Sequence, residues 1–148
     1  MSDGRDGEMS LYRLFEAFWM ELVDEEDRFK SYGLSSKLEA VLTSIIRHPA
    51  MTLSELANYS SVTKSAISQH VKRLEELGFL SRMPDPNDRR VQRIVLSEEG
   101  ERYKEDLNRY EQYVHRLFED NLNQEELKGM QQYFEKLLHS IHVKRRTT

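Results

Sequence analysis

Apolar residues recur at helical spacing near the N-terminus of this 148-residue chain. The stripe consists of Leu11, Phe15, Phe18, Leu22 and Phe29. Steps of three, four and seven residues place these side chains on one face of a helix. The pattern predicts a first helix from about Met9 to Lys30, with Gly33 ending the segment.

Capping residues mark the starts of the next three helices. Ser35 or Ser36 can cap a second helix, which should stop before Pro49 because the residue preceding a proline disfavours helical backbone. A capping box, Thr52 with Glu55, begins a short third helix. The fourth helix is expected to start after its N-cap Thr63, run to Leu77 and end at Gly78. The apolar positions expected inside are Leu38, Val41, Leu42, Ile45, Ile46, Leu53, Leu56 and Ala57.

Two short β-prone runs follow, Phe79–Met83 and Val91–Leu96. The segment Pro84–Asp88 between them is rich in turn-forming residues, so the three pieces predict a hairpin. Ser97 can then cap a long helix, and Asn123 with Glu126 can begin a last one.

This order of elements predicts a mainly α fold with a small β-hairpin wing, in the α+β class. It is the order of a winged helix-turn-helix, in which one helix enters the DNA major groove and a hairpin lies beside it. Residues 1–8 are expected to form a disordered tail, and residues 9–148 a single winged-helix domain. Within that domain, residues 35–100 are expected to form a DNA-binding head between dimerisation helices in residues 9–34 and 101–148.

The fourth helix has the polar surface of a DNA-reading helix. On a wheel of ~100° per residue, Ile67, Val71 and Leu74 share a face that should be buried. Short or amide-bearing side chains lie opposite and suit hydrogen bonds to base edges, while lysines and arginines suit phosphates. The predicted DNA contacts on this helix are Thr63, Lys64, Ser65, Ser68, Gln69, Lys72 and Arg73. Periodicity alone would also fit an ordinary amphipathic helix with a solvated polar side.

The hairpin tip has a second set of candidate DNA contacts, which are Asp88, Arg89, Arg90 and Arg93. Arginine is favoured in a narrow minor groove, where the potential is strongly negative. The Asp88 carboxylate is expected to hold the Arg90 guanidinium in one geometry before it binds. A solvated charged turn is the alternative interpretation.

The charge distribution agrees with a DNA-binding head. The chain has a formal net charge of −4. Residues 62–96 nevertheless contain seven cations and four anions, a local surplus of three positive charges. A basic face on an acidic body can attract phosphates locally while the remaining charge keeps the protein soluble.

Several other classes of function find little support in the sequence. There is no cysteine, which excludes disulfides and thiolate metal sites. No Ser-His-Asp, phosphate-loop or HExxH pattern is present, so no enzyme activity and no cofactor are predicted. His139 and His142 could share a helix face, but no full ligand set is evident and no metal site is predicted. No apolar run approaches the ~20 residues of a membrane span, and no secretory signal is evident, so the cytoplasm is the expected compartment.

Five segments together resemble the MarR family of bacterial transcriptional regulators. They are T-L-S-E-L-A from Thr52, T-K-S-A-I-S-Q from Thr63, L-E-E-L-G-F-L from Leu74, D-P-N-D-R-R from Asp85 and L-S-E-E-G from Leu96. The Asp-x-Arg pattern at Asp88 and Arg90 is similar to that family's wing tip. The resemblance covers about a third of the chain, and it implies a homodimer on a pseudo-palindromic operator. It also implies regulation, often repression that a small-molecule effector relieves.

The dimer has an independent argument, because the terminal helices carry more apolar side chains than one small head can cover. The residues expected at the dimer interface are Leu11, Phe15, Phe18, Leu22, Phe134, Leu138 and Ile141. The expected partners are therefore double-stranded DNA, a second copy of the chain and a small-molecule effector, with no membrane. The alternative function is a winged-helix module that docks a protein through its basic hairpin and does not bind specific DNA.

Overall fold

The computed structural model describes residues 9–60 and 62–147. In these ranges the chain forms six α-helices and a two-stranded antiparallel sheet. In chain order they are α1 (Leu11–Phe29), α2 (Ser36–Arg47), α3 (Leu53–Ser60), α4 (Lys64–Glu76), β1 (Leu80–Pro84), β2 (Gln92–Leu96), α5 (Glu98–Asn121) and α6 (Gln124–Thr147). The predicted mainly α fold with a hairpin wing is confirmed. The tail expected at residues 1–8 lies outside the described residues.

Backbone contacts group the chain into two compact units that divide within α5, between Tyr110 and Glu111. The first unit contains α1 to α4, the hairpin and the first half of α5. The second contains the remainder of α5 and α6. No described helix is both long enough and apolar enough to cross a membrane.

Side-chain caps begin the helices at the expected residues. The Ser35 hydroxyl accepts a hydrogen bond from the Leu38 backbone N–H at 3.3 Å, so Ser35 and not Ser36 is the cap of α2. In the Thr52–Glu55 capping box, each side chain accepts from the other residue's backbone N–H, at 3.4 and 3.2 Å. These bonds satisfy amide donors that have no partner inside the helix.

The last helix begins with a second capping box. Asn123 and Glu126 exchange side-chain-to-backbone hydrogen bonds, each 2.9 Å long. The prediction that this pair starts α6 is confirmed.

The first helix ends one residue before its predicted end at about Lys30. The helix ends at Phe29, and Lys30 already has extended backbone angles, φ −139° and ψ 110°. Gly33 has a left-handed φ of 68°, but it lies in the connecting segment four residues later. Where the helix ends, the Lys30 side chain is buried in the first unit and donates a hydrogen bond to the Tyr103 hydroxyl.

The core of the first unit combines side chains from α2, α3, α4, the hairpin and α5. The buried apolar residues are Val41, Leu42, Ile45, Leu56, Ala57, Ile67, Val71, Leu74, Phe79, Leu80, Tyr103 and Leu107. Most come from positions that the periodicity assigned to the inner faces, so the sequence pattern and the packing agree.

The hairpin lies against the first turn of α5. In its antiparallel register Leu80 pairs with Leu96 and Pro84 with Gln92. A Cβ added to Gly100 would lie only 2.1 Å from the Phe79 carbonyl oxygen, so only glycine allows this close approach. The wing is thus seated on the core at its base and exposed at its tip.

Candidate nucleic-acid interface

The fourth helix presents two chemically different sides. The Thr63 hydroxyl caps it by accepting from the Ala66 backbone N–H at 3.1 Å. Ile67, Val71 and Leu74 are buried, as the helical wheel predicts. This anchoring of one face fixes which residues of α4 face solvent.

The solvent side of α4 contains most of the predicted DNA contacts. Those with exposed side chains are Thr63, Lys64, Ser65, Gln69, Lys72 and Arg73. Ser68 is half-buried at the edge of this group, and its backbone carbonyl accepts a 3.4 Å hydrogen bond from Arg82. Ser65, Gln69 and Lys72 are spaced four and three residues apart, so they form one row along the helix.

Two cations on this side of α4 have no carboxylate partner among the described residues, namely Lys64 and Lys72. Arg73 forms a 3.4 Å ion pair with Glu76 one turn away. Both side chains of that pair are more than half exposed, so water screens it and a phosphate could replace the carboxylate at small cost.

The wing loop is organised by Asp85. One carboxylate oxygen accepts from the backbone N–H groups of Asn87 and Asp88, at 2.7 and 3.2 Å. The other accepts from Arg93 Nε at 2.6 Å. The Asn87 N–H, followed by the Arg93 guanidinium, lowers the pKa of Asp85 below its ordinary value, because both stabilise the carboxylate.

The predicted pairing of Asp88 with the Arg90 guanidinium is wrong. The Asp88 carboxylate instead accepts from the Arg90 backbone N–H at 3.0 Å. A two-residue separation suits this local turn, in which a short carboxylate replaces a backbone acceptor. Among the described residues, no carboxylate pairs with the guanidinium of Arg89 or of Arg90, and both side chains are exposed.

Arg93 also has a partner that the sequence analysis did not anticipate. Its bond to Asp85 joins β2 to the far side of the loop. A DNA contact by Arg93 would therefore compete with this ion pair, whereas one by Arg89 or Arg90 would not.

Arg82 links the wing to α4, a role that sequence reasoning missed. Its guanidinium donates to the Ser68 carbonyl of α4 and lies 3.6 Å from the Glu75 carboxylate. The Arg82 Nε is buried and lacks a hydrogen-bond partner of its own within the described chain. The available signal was strand alternation, which places Arg82 on the same side of β1 as the buried Leu80. A charged residue at an inward position needs partners on the element beneath it.

The residues predicted for a dimer interface lie mostly at the surface of the single chain. Six of them are between 42% and 85% exposed, and Leu22 is half-buried. The exposed six are Leu11, Phe15, Phe18, Phe134, Leu138 and Ile141.

The histidines do not form a cluster in the described part of the chain. His48 packs against the Tyr59 ring with centroids 4.6 Å apart, and His115 lies 3.1 Å from a Glu119 carboxylate oxygen. His139 and His142 are exposed on α6. The described residues contain no group of three or more His, Cys, Asp or Glu side chains arranged to hold a metal ion.

Comparisons with known proteins were consistent with this geometry. The model of the MarR family matches residues 34–91. A curated relative, the HTH-type transcriptional repressor MdtR of Bacillus subtilis, is 29% identical over 96 residues. That match covers 65% of this chain and 60% of the repressor, so the chain matches less than two thirds of this relative's length.

Solved structures with the same fold cover nearly the whole chain. Streptococcus pneumoniae FabT in complex with DNA has a TM-score of 0.71 at 23% identity, covering 87% of this chain and 92% of that one. Staphylococcus aureus MepR bound to ethidium bromide has a TM-score of 0.67 at 20% identity, covering 90% and 97%. At these identities the two structures establish the winged-helix fold.

Proposed function

We propose that the chain is a DNA-binding transcriptional regulator of the MarR family and that it acts as a homodimer on an inverted-repeat operator. In this proposal α4 of each copy reads bases in the major groove and the wing tip enters the neighbouring minor groove. Two-fold symmetry would place the two half-sites about one helical turn, ~34 Å, apart.

One observation carries the proposal. Within the described part of the chain, cations without a carboxylate partner occur on both the reading helix and the wing, at Lys64, Lys72, Arg89 and Arg90. Between the first two lie short polar side chains able to read base edges. A solvated polar face needs no such combination on two adjoining elements that Arg82 ties together.

We assign a DNA contact to each predicted site residue except Asp88. Bases would be read by Ser65, Ser68 and Gln69, and phosphates or the minor groove would be contacted by Thr63, Lys64, Lys72, Arg73, Arg89, Arg90 and Arg93. Asp88 would hold the tip through the Arg90 backbone N–H and would not itself touch DNA. Gln69 can pair with adenine in the major groove, which makes it the strongest candidate for base selectivity.

The exposed apolar stripes of α1 and α6 support the dimer. An apolar surface of this extent is unfavourable in water, and a second copy could cover it. We propose that residues 9–34 and 101–148 supply the dimerisation helices around the head of residues 35–100. The seven residues named above as interface candidates would lie at that contact.

Repression is the proposed direction of regulation, because the relative from Bacillus subtilis is named a transcriptional repressor. A small-molecule effector is proposed because MepR, which shares this fold, has been solved with ethidium bromide bound. Such an effector acts only if it binds one spacing of the two heads better than another. The proposed activity is binding and not catalysis, and a regulator of chromosomal genes would work in the bacterial cytoplasm.

Selection of duplexes tests the proposed function directly. The full-length protein should retain a common inverted repeat from genomic fragments, with an affinity that falls steeply as salt rises. Gln69→Ala should cost ~1–3 kcal/mol on the selected duplex and less on random DNA. Arg90→Ala should weaken binding to both and reduce the salt slope, because its proposed partners are common to all sequences.

A matched control is Arg102→Ala, which removes an exposed arginine of α5 that is not among the proposed DNA contacts or the named interface candidates. Its affinity should equal that of the wild type. The protein-docking alternative would gain support if the folded protein bound no duplex in a salt-dependent way. Equal loss on selected and random DNA for Gln69→Ala would remove that residue from base reading.

A further inference from the structure

A buried polar network lies where α1 meets the rest of the first unit. Lys30 follows the last residue of α1, and only 4% of it is exposed. Its ammonium donates to the Tyr103 hydroxyl at 3.1 Å and pairs with Glu26 on the last turn of α1. It also lies 5.1 Å from the centroid of the Tyr103 ring. Tyr103, from α5, is completely buried.

The network continues to the connecting segment and to α2. The Tyr103 hydroxyl lies 3.3 Å from the Thr43 hydroxyl on α2. The Tyr32 hydroxyl donates to Asp106, which is 8% exposed and also pairs with Arg109. Six residues, Glu26, Lys30, Tyr32, Thr43, Tyr103 and Asp106, define the junction network.

Aromatic packing holds the same place together. The Tyr32 ring contacts those of Tyr103 and Phe79, with centroids 5.2 and 5.9 Å apart. Two turns earlier in α1, the Leu22 carbonyl accepts a hydrogen bond from the Tyr110 hydroxyl at 3.0 Å. The junction therefore joins the end of α1, the segment before α2, α2 and the first half of α5.

The free energy of folding alone does not explain why the charged Lys30 and Glu26 occur in the junction network. Removing a charged group from water costs several kcal/mol, and a buried ion pair is often no more stable than apolar side chains of similar volume. Burial opposes the ammonium form of Lys30, but hydrogen bonds to Glu26 and Tyr103 outweigh it and raise the pKa of Lys30. Directional bonds differ from apolar contacts in one respect, since they are satisfied in only one relative orientation of the groups that make them.

We propose that the junction network sets the angle between α1 and the head, and thereby the distance between the two reading helices of the dimer. This inference rests on the proposed function, in which α1 belongs to the dimer interface and α4 reads DNA. A small rotation at the end of α1 would displace the far side of the head. The network residues are positioning residues, because none of them is among the proposed DNA contacts.

Spacer variants of the selected duplex test this inference. The distance between its half-sites is lengthened or shortened by one and by two base pairs. Wild-type protein should lose affinity at each change, because the junction network favours one head spacing. Lys30→Met retains the aliphatic stem of the lysine but removes the ammonium. In this variant the ratio of the affinity for the original spacing to that for an altered spacing should fall by about 2- to 30-fold. This is the range expected for a residue that transmits coupling.

Affinity for a duplex with a single half-site should remain unchanged in Lys30→Met, since the reading helix is intact. Lys37→Met is the matched control, an exposed lysine on α2 that should retain the wild-type spacer profile. Tyr32→Phe removes one hydroxyl and its bond to Asp106, and it provides a second, milder variant. A change in thermal stability without a change in spacer profile would show a merely structural role.

A folded Lys30→Met or Tyr32→Phe protein with the wild-type spacer profile would overturn the inference and leave the proposed function standing. If the wild type itself bound no inverted repeat, the proposed function would fail, and the inference with it. The two failures are therefore distinguishable from one set of titrations.

Discussion

The head and the arms of this molecule both consist largely of amphipathic helices, but only the helices of the head bury apolar side chains within the chain. The head consists of α2, α3, α4 and the hairpin, and the arms are α1 and α6. All these helices are amphipathic, but α2, α3 and α4 contribute buried side chains to one core, whereas no described residue of α1 or α6 is buried. Periodicity indicates that a helix has an apolar face but does not identify what covers it. In the head the cover lies within the chain, and for the arms we propose a second copy.

The largest expected effect comes from placing a charge on the exposed stripe of α1. Phe15 is 55% exposed in the single chain, so Phe15→Asp should leave the head folded. In the proposed dimer it would bury an unpaired carboxylate at a cost of ~3 kcal/mol or more, which raises the dimer dissociation constant by at least about 100-fold. Sedimentation equilibrium over a range of concentrations measures this constant.

The control for that change is Arg13→Asp, which introduces the same carboxylate nearly opposite Phe15 on α1. It should leave the association unchanged. Dimers of unaltered strength in Phe15→Asp would show that the α1 stripe is covered by something other than a second copy.

A comparison of two leucines gives the next largest effect. Leu42 is fully buried in the head, so Leu42→Ala should lower the free energy of unfolding by ~2–5 kcal/mol. Leu138 is 53% exposed on α6. In the monomeric Phe15→Asp background, Leu138→Ala should change stability by less than about 0.5 kcal/mol, as at other surface sites.

Urea denaturation followed by circular dichroism measures both changes. In the wild-type background, Leu138→Ala should instead weaken the dimer. Similar losses for the two leucines in the monomeric background would mean that the arms are packed within the chain and do not differ from the head.

The smallest expected effect is the response of the wing loop to protonation of Asp85 at low pH. The pKa of Asp85 is lower than its ordinary value near 3.8, so the folded loop favours the carboxylate. The Asp85 carboxylate therefore stabilises the loop fully when the pH is above its ordinary pKa. This stabilisation is lost as the pH falls through the lowered pKa of the folded protein. The backbone N–H of Asn87 donates a hydrogen bond to Asp85. The NMR chemical shift of its proton should therefore change only at pH values below the ordinary aspartate pKa. Asp85→Asn should abolish this titration, and a midpoint above 3.8 would contradict the assignment.

Local rules explain why much of the fold could be predicted. Caps such as Ser35 and the Thr52–Glu55 box act within a few residues, and the wheel of α4 depends only on helix geometry. The positions of Ile67, Val71 and Leu74 in the core follow from these rules. The bounds predicted for α1, α2, α4 and the two strands accordingly lie within about two residues of those observed.

The hydrogen-bond and ion-pair partners of the charged side chains could not be predicted from the sequence. Asp88 was assigned to the Arg90 guanidinium, but backbone geometry in the loop offers it the nearer N–H. Arg93 has a carboxylate partner, Asp85, that becomes its neighbour only when the hairpin closes. Lys30 and Tyr103 are separated by 73 residues, so no local pattern could connect them. The roles of the DNA-contacting and interface residues remain predictions.

Hydroxyl-radical footprinting of the selected duplex, with wild-type protein and with Arg90→Ala, tests the central claim most directly. If α4 and the wing of each copy bind one double helix, the wild type should protect two symmetry-related windows about one helical turn apart. Each window should include a minor-groove segment that Arg90→Ala exposes while the remaining protection persists. A single unsymmetrical window, or a pattern identical in the two proteins, would contradict the claim.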